Sequence, residues 1–118
     1  MKIVLLIVED EWLLLDLAVE YMVYEGFNVY GARNADEAIA LLELHSDIQV
    51  VFTDIQMPGS MDGLKLAHHI RGRWPPVKLV ITSAHARPLA EDMPVDSEFL
   101  RKPYQLALVA DHLRAMIA

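Results

Sequence analysis

Acidic, hydroxyl and basic side chains follow the short apolar runs of this chain, at the points where strands of a buried sheet would end. Glu9 and Asp10 directly follow the first run, and Asp54 follows the third. Ser83 follows the fourth run, and Lys102 comes two residues after the fifth. If the runs are parallel strands, these side chains share one edge of the sheet, because the carboxyl ends of parallel strands lie together.

The three carboxylates in this set predict a cation site. Carboxylates that are brought together repel one another, and the repulsion raises the cost of ionisation unless a cation neutralises it. Oxygen ligands without histidine or thiolate favour Mg²⁺, which usually takes one or two carboxylates together with phosphate oxygens. Any one of these acids alone could be a solvated helix cap, whereas the whole set at one edge favours a metal site.

The elements that must position these residues alternate along the chain in the pattern of βαβ units. Apolar runs rich in β-branched residues predict buried parallel strands, and segments of helical period separate them. The predicted strands are Ile3–Val8, Phe27–Tyr30, Gln49–Thr53, Lys78–Thr82 and Glu98–Leu100, with the second and fifth at the sheet edges. Helices are predicted over about residues 11–24, 34–45, 62–73 and 105–117. Right-handed crossovers then give an α/β fold, a doubly wound sheet with helices on both faces.

Two prolines limit the remaining helix, which is the fourth of five in chain order. Pro88 could open that helix in its first turn, but Pro94 ends it within about two turns. We therefore expect the fourth helix to be short or displaced.

Length, composition and charge restrict the class of protein. The 118 residues fit one domain, expected to span residues 1–118, and the apolar fraction of 54% predicts a packed core. A formal net charge of −7 opposes binding to nucleic acid or to an anionic membrane. The absence of cysteine excludes disulfides and thiolate metal sites. No stretch approaches the roughly 20 apolar residues of a membrane span, so we expect a cytoplasmic protein.

Four pieces of the sequence lie at the ends of predicted strands: Val8-Glu9-Asp10-Glu11, Asp54-Ile55-Gln56-Met57-Pro58 with Met61-Asp62-Gly63, Thr82-Ser83-Ala84, and Lys102-Pro103. Taken in order, these pieces resemble the receiver domain of two-component response regulators (CheY-like). Each piece alone is weak, but all four at this spacing are highly specific, and the likeness extends from Ile3 to about Ile117. It implies a flavodoxin-like sheet of five parallel strands in the order 2-1-3-4-5.

The resemblance implies a phosphoacceptor and a metal site. Asp54 matches the aspartate that takes a phosphoryl group from a phosphohistidine donor and becomes an aspartyl phosphate. Mg²⁺, with Mn²⁺ as a substitute, would be held by Asp10, Asp54 and the main-chain carbonyl of Gln56, with Glu9 acting directly or through a water. Lys102 is similar to the lysine that pairs with a phosphoryl oxygen. Such a protein is not an enzyme beyond its own phosphorylation and dephosphorylation, and it switches protein–protein contacts.

The same resemblance implies a switch and two tuning positions. Ser83, followed by the small Ala84, matches the hydroxyl residue that bonds the new phosphoryl group. Phe99 matches the aromatic residue that moves with it, although an ordinary half-buried strand residue is the alternative interpretation. Gln56 and His85 occupy positions from which side chains obstruct or orient a hydrolytic water; for His85 the alternative is an exposed histidine without a role.

The first predicted helix offers a surface for partners. From Trp12 to Tyr24 its only charged residues are Asp16 and Glu20, so one sheet-facing side cannot bury all the apolar remainder. The fifth predicted helix is also rich in apolar residues and should lie beside it. We expect these helices to meet a histidine kinase, a histidine phosphotransfer protein or a second copy of the chain, the alternative being a large core with some exposed leucines.

Three other functions remain as alternatives. A degenerate receiver would act only as a binding module. A Mg²⁺-dependent phosphohydrolase of the haloacid dehalogenase type needs a second acid two residues after the nucleophile, where this chain has Gln56. A flavin carrier is disfavoured by the acidic loop after the first strand. Because Met1 stands directly before that strand, we expect a stand-alone receiver rather than a domain of a longer regulator.

Overall fold

The computed structural model describes residues 2–85 and 87–118 and confirms the α/β fold class. Its five strands are β1 (Val4–Val8), β2 (Asn28–Ala32), β3 (Val50–Asp54), β4 (Lys78–Ser83) and β5 (Ser97–Arg101). The α-helices are α1 (Trp12–Tyr24), α2 (Ala35–Leu44), α3 (Gly63–Arg73) and α4 (Leu106–Ile117). All strand pairs are parallel and the order is β2-β1-β3-β4-β5, so the predicted order and edge strands are confirmed.

Helices cover both faces of the sheet because successive strand residues point into two separate cores. On one face, α2 and α3 pack over the sheet, where Leu6 and Leu66 are fully buried. On the other face, α1 and α4 pack side by side, and Leu5, Met22 and Leu113 are fully buried. The central strands therefore carry apolar residues on both faces, which is why they appear in the sequence as continuous apolar runs.

Side-chain and glycine caps fix the ends of three helices. The Asn34 side chain accepts from the main-chain N–H of Glu37 over 2.9 Å and begins α2. Asp62 accepts in the same way from the N–H of Lys65 over 2.9 Å and begins α3. Helix α1 ends before Gly26, whose φ of +101° lies in the left-handed region that glycine adopts without strain.

The connection between β4 and β5 contains little helix, as the two prolines predict. The fourth predicted helix is reduced to a single 3-10 turn, Ala90–Asp92, so the structure has four α-helices in its described part rather than five. Pro88 and Pro94 explain this difference, because proline lacks the N–H of a helix and disfavours helical backbone in the preceding residue.

One side chain of α3 ties the flanks of this connection to the helix. The guanidinium group of Arg71 donates four hydrogen bonds to main-chain carbonyls that precede β4 or β5. Its acceptors are the carbonyls of Pro75, Val77, Val95 and Asp96, at 2.6, 2.8, 2.9 and 3.4 Å. Side-chain contacts from α3 thus tie down the connection in which a short or displaced helix was expected; the second such contact joins His68 Nε2 and the Asp92 carbonyl over 2.6 Å.

Among the described residues, none of the helices combines the length and the hydropathy that crossing a membrane requires.

Candidate functional site

The carboxyl edge of the sheet brings together the polar residues that the sequence pattern placed at strand ends. Asp54 is the last residue of β3 and Ser83 the last of β4. Glu9 and Asp10 follow β1 directly, and Lys102 follows β5 directly. Because β3 lies between β1 and β4, Asp54 occupies the middle of this edge.

Three carboxylates form a compact cluster at this edge. One carboxylate oxygen from each of Glu9, Asp10 and Asp54 lies within 4.8 Å of the others, while Glu9 and Asp54 are only 8% and 7% exposed. Burial is the main cause that raises the pKa of Glu9, and the neighbouring Asp10 and Asp54 also raise it. The cluster therefore carries more negative charge than its surroundings readily accommodate.

Lys102 supplies positive charge to this cluster. Its Nζ lies 2.8 Å from Asp54 Oδ2 and 3.6 Å from Glu9 Oε1. Burial alone would lower the pKa of Lys102, but the hydrogen bond and charge of Asp54, together with the charge of Glu9, raise it. The backbone places this side chain, since the Lys102 N–H donates to the Ser83 carbonyl over 3.0 Å.

The other oxygen of Asp54 has no such partner. Asp54 Oδ1 is buried and makes no hydrogen bond to the described residues. A buried acceptor without a partner is costly, and a bound water, a bound ion or a catalytic role are the explanations for such a group in a folded protein. With two further carboxylates within reach and no histidine or thiolate, the donor set fits a hard cation such as Mg²⁺.

Ser83 has both a donor and an acceptor contact. Its Oγ donates to the side-chain oxygen of Gln56 over 2.7 Å and accepts from the main-chain N–H of His85 over 3.0 Å. His85 is an exposed residue, and it contacts this site through its main-chain N–H. The neighbouring Thr82 hydroxyl is buried without a partner among the described residues.

Phe99 lies in β5, opposite Ile81 of β4, and is half-buried. It packs on the core that α2 and α3 cover. The guanidinium carbon of Arg87 lies 5.8 Å from the centre of its ring, a distance typical of cation–π contacts. The segment that replaces the fourth helix thus covers part of the ring.

Gly63 is a site residue whose role the sequence pattern did not reveal. A Cβ atom at this position would lie 1.8 Å from the carbonyl oxygen of Asp54, so no other residue fits without a backbone shift. The Gly63 N–H also donates to the Ile55 carbonyl over 2.9 Å. Gly63 therefore allows the start of α3 to approach the main chain of the acidic cluster. The Asp-Gly pair after the loop was the available signal.

An apolar groove adjoins the cluster, and no motif or periodic pattern of the sequence indicates its position. The cavity has a volume of about 590 Å³ and includes Glu9, Asp54 and Lys102 at its polar end. Its apolar walls come from α1, β3, the loop between β5 and α4, and the start of α4: Leu14, Leu17, Ala18, Phe52, Tyr104 and Leu106. The Tyr104 ring packs edge-on against Phe52, with centroids 5.4 Å apart.

A family model for the response regulator receiver domain matches residues 5–114 of this chain. A cyclic di-GMP phosphodiesterase of Thermotoga maritima is 28% identical over 107 residues, which cover 88% of this chain and 28% of that protein. A putative NtrX-like response regulator of Rickettsia felis is 35% identical over 81 residues, 68% of this chain and 17% of that protein. The chain spans less than a third of the length of either relative.

Solved receiver structures share the fold. A response regulator receiver protein from Sinorhizobium medicae superposes with a TM-score of 0.88 at 27% identity, covering 98% of this chain and 94% of that one. The CheX–CheY–BeF3–Mg²⁺ complex from Borrelia burgdorferi superposes with a TM-score of 0.85 at 26% identity, covering 98% and 90%.

Proposed function

The chain belongs to the receiver domain family of response regulators, and from this premise we propose that it accepts a phosphoryl group on Asp54 in a two-component system or phosphorelay. One observation carries the proposal. Asp54 is buried at the centre of the carboxyl edge with one oxygen bound to Lys102 and the other without a protein partner among the described residues. An oxygen in that position is available as a nucleophile.

The reaction follows from these groups. Asp54 Oδ1 attacks the phosphorus of a phosphohistidine, a P–O bond forms, and the P–N bond of the donor breaks. The electron pair of the broken bond stays on the imidazole nitrogen as its lone pair, and the ring leaves as neutral imidazole because its other nitrogen carries a proton. Lys102 then pairs with a phosphoryl oxygen, and later attack by water on phosphorus releases inorganic phosphate and restores Asp54. The chain catalyses only its own phosphorylation and dephosphorylation.

The acidic residues hold the metal in this proposal. Asp10, Asp54 and the main-chain carbonyl of Gln56 are the ligands, with Glu9 bound directly or through water, and Mn²⁺ substitutes for Mg²⁺. When bound, the cation neutralises the charge that would otherwise repel an incoming phosphoryl group. The similar CheY chain from Borrelia, whose complex contains Mg²⁺ and BeF3, supports this assignment.

Ser83 and Phe99 form the switch in this proposal, and Gln56 and His85 tune the lifetime of the phosphorylated form. Ser83 moves to bond a phosphoryl oxygen, and Phe99 repacks into the space that Ser83 leaves. This movement shifts the equilibrium between two conformations of the surface near β5. The surface then gains or loses contacts with partner proteins.

The partners in this proposal are proteins. The donor is a histidine kinase or a histidine phosphotransfer protein, and the apolar surfaces of α1 or α4 contact the donor or a second copy of the chain. The net charge of −7 supports the absence of nucleic acid and membrane ligands. We place the protein in the cytoplasm, with residues 1–118 forming the receiver domain.

The test is the intact mass of the protein after incubation with acetyl phosphate, with and without Mg²⁺. We expect one phosphoryl group to be added to the native chain in the presence of Mg²⁺ and none to be added to Asp54→Asn. Asp47→Asn, an exposed aspartate before β3, is the matched control and should react like the native chain. A folded native chain that gains no phosphoryl group from acetyl phosphate or a phosphohistidine donor would contradict the proposal and favour a degenerate binding module. Continuous release of phosphate from unrelated esters would favour a phosphohydrolase.

A further inference from the structure

The side chain of Gln56 holds the hydroxyl group of Ser83. Ser83 Oγ donates to Gln56 Oε1 over 2.7 Å, and its acceptor lone pair receives the His85 N–H over 3.0 Å. A hydroxyl group has a single proton to donate. In this conformation the proton of Ser83 is therefore committed to Gln56.

A phosphoryl group on Asp54 would also need the Ser83 hydroxyl as a hydrogen-bond donor. Ser83 ends β4 beside Asp54, which ends β3, with Asp54 paired to Thr82 in the strand register. A phosphoryl group on Asp54 brings oxygens that need donors, and Lys102 already lies 2.8 Å from Asp54. Ser83 can donate to a phosphoryl oxygen only after it releases Gln56.

Breaking the hydrogen bond between Ser83 and Gln56 has different consequences for the two side chains. Ser83 is fully buried, so its hydroxyl must keep a protein or ligand partner. Gln56 belongs to the exposed part of the loop after β3, so its amide can return to water. The exchange is thus feasible, and its cost is the net free energy of one neutral hydrogen bond.

We infer that Gln56 is a positioning residue that competes with the phosphoryl group for the Ser83 hydroxyl and thereby weakens the phosphoryl-bound state. This inference rests on the proposed function of the site. The net free energy of one such hydrogen bond corresponds to about a two- to tenfold change in an equilibrium constant. Removing the acceptor on Gln56 should therefore tighten binding of a phosphoryl group or its mimic by that factor.

The test measures the dissociation constant of beryllofluoride, with Mg²⁺ present, by titration calorimetry on the complete chain. Gln56→Met keeps the length of the side chain and removes the acceptor, so it should bind the probe about two- to tenfold more tightly than the native chain. Gln56→Glu keeps an acceptor and should bind no more tightly than the native chain. Gln105→Met changes an exposed glutamine before α4 and should leave the constant unchanged.

A double-mutant comparison separates competition for the hydroxyl from a change in shape. In a Ser83→Ala background there is no proton to release, so Gln56→Met should have no effect on beryllofluoride binding. An equal gain in both backgrounds would show that Met acts by packing and would overturn the inference. Gln56→Ala serves as a second variant that lacks the acceptor if the Met variant is poorly folded.

Failure of the inference and failure of the proposed function give different results. If the folded native chain binds neither Mg²⁺ nor beryllofluoride, the proposed function fails. If the native chain binds both and Gln56→Met shows no gain, the inference alone fails. The affinity for Mg²⁺ without beryllofluoride is measured separately in the native chain and in Gln56→Met, so that the contribution of metal binding to any gain is known. A shift in Mg²⁺ affinity that accounts for the whole gain would also overturn the inference.

Discussion

Lys102 is the side chain on which the charge balance of the site depends. Its ammonium group contacts two of three clustered carboxylates, Asp54 and Glu9. Leaving buried carboxylates without their cation is costly, because the charged groups cannot recover their hydration. The residue therefore serves stability and the proposed chemistry at once.

We expect Lys102→Met to lower the free energy of unfolding at neutral pH by about 2 kcal/mol, the value of hydrogen bonds to charged groups. Mg²⁺ should then raise the melting temperature of this variant more than that of the native chain, because it supplies the missing positive charge. Thermal unfolding with and without Mg²⁺ measures both effects. Lys65→Met, at an exposed position on α3, should behave like the native chain. Equal responses to Mg²⁺ in the native chain and in Lys102→Met would contradict this account.

Glu25, directly after α1, stabilises the folded state through the charge of its carboxylate. It accepts hydrogen bonds from the Tyr21 hydroxyl and from the Arg114 guanidinium, which lower its pKa in that order of importance. Because the folded state has the lower pKa, its stabilising contribution is present above the ordinary pKa of 4.5. It is lost as the pH falls through the depressed value.

Glu25→Gln should consequently unfold at a lower urea concentration than the native chain at neutral pH. The two midpoints should converge as the pH falls below the ordinary pKa of a glutamate. Urea titrations across this range test the prediction, and Glu20→Gln, an exposed change on the same helix, is the control. A difference between midpoints that is independent of pH would show that the carboxylate charge plays no part.

At the scale of elements, α3 is positioned by a glycine at its first residue. Gly63 stands against the Asp54 carbonyl, whereas Gly72 near the end of the same helix has open space where a Cβ would lie. Only Gly63 is crowded by neighbouring main chain. Substitutions at the two positions therefore distinguish the effect of packing from the effect of helix propensity within one helix.

Gly63→Ala should lower the free energy of unfolding by about 3 kcal/mol, at the upper end of overpacking effects. Gly72→Ala should raise it by about 0.5–1 kcal/mol, because alanine loses less backbone entropy in a helix. Chemical denaturation of both variants provides the measurement. Equal effects of the two substitutions would contradict the close approach of α3 to Asp54.

The elements also show what the sequence could predict. Strand positions, their order and the meeting of Asp54 with Lys102 follow from residue type at strand ends and from a specific set of motifs. The fourth helix could not be predicted in detail, since Pro88 and Pro94 reduce its propensity without specifying an alternative. The hydrogen bond between Ser83 and Gln56 depends on loop torsions, which leave no periodic signal in the sequence.

At the scale of the whole molecule, apolar surface remains exposed on one side. Trp12, Leu13 and Leu17 of α1 are more than half exposed, and Leu108 of α4 is 63% exposed. The structure therefore confirms that α1 has more apolar residues than its sheet-facing side can bury, because several of them are exposed. The partner contact proposed for α1 and α4 rests on these exposed side chains.

Replacing Leu13 and Leu17 together by glutamine should lower the free energy of unfolding by about 2 kcal/mol, because each side chain is about half buried. If α1 contacts a second copy, the same change should reduce the dimer that sedimentation velocity detects at high protein concentration. Leu44→Gln, an exposed position on α2, controls for general solubility. A native chain that stays monomeric at high concentration would contradict the dimer and leave the kinase or phosphotransfer protein as the partner of α1.

The guanidinium group of Arg71 has a consequence for the cooperativity of unfolding. The segment between β4 and β5, in its described residues, lacks a helix whose apolar face would bind it to the sheet. Arg71 bonds the Val95 and Asp96 carbonyls, and His68 contacts the Asp92 carbonyl over 2.6 Å, while only Met93 and Pro94 of the described segment pack inward. Regions with few buried apolar contacts open locally at a lower free energy than the core. In Arg71→Met the amide protons of Met93, Val95, Asp96 and Ser97 should exchange with solvent faster than in the native chain, while those of β1 and β3 should exchange at the native rate. The molecule would then contain two independently opening units instead of one.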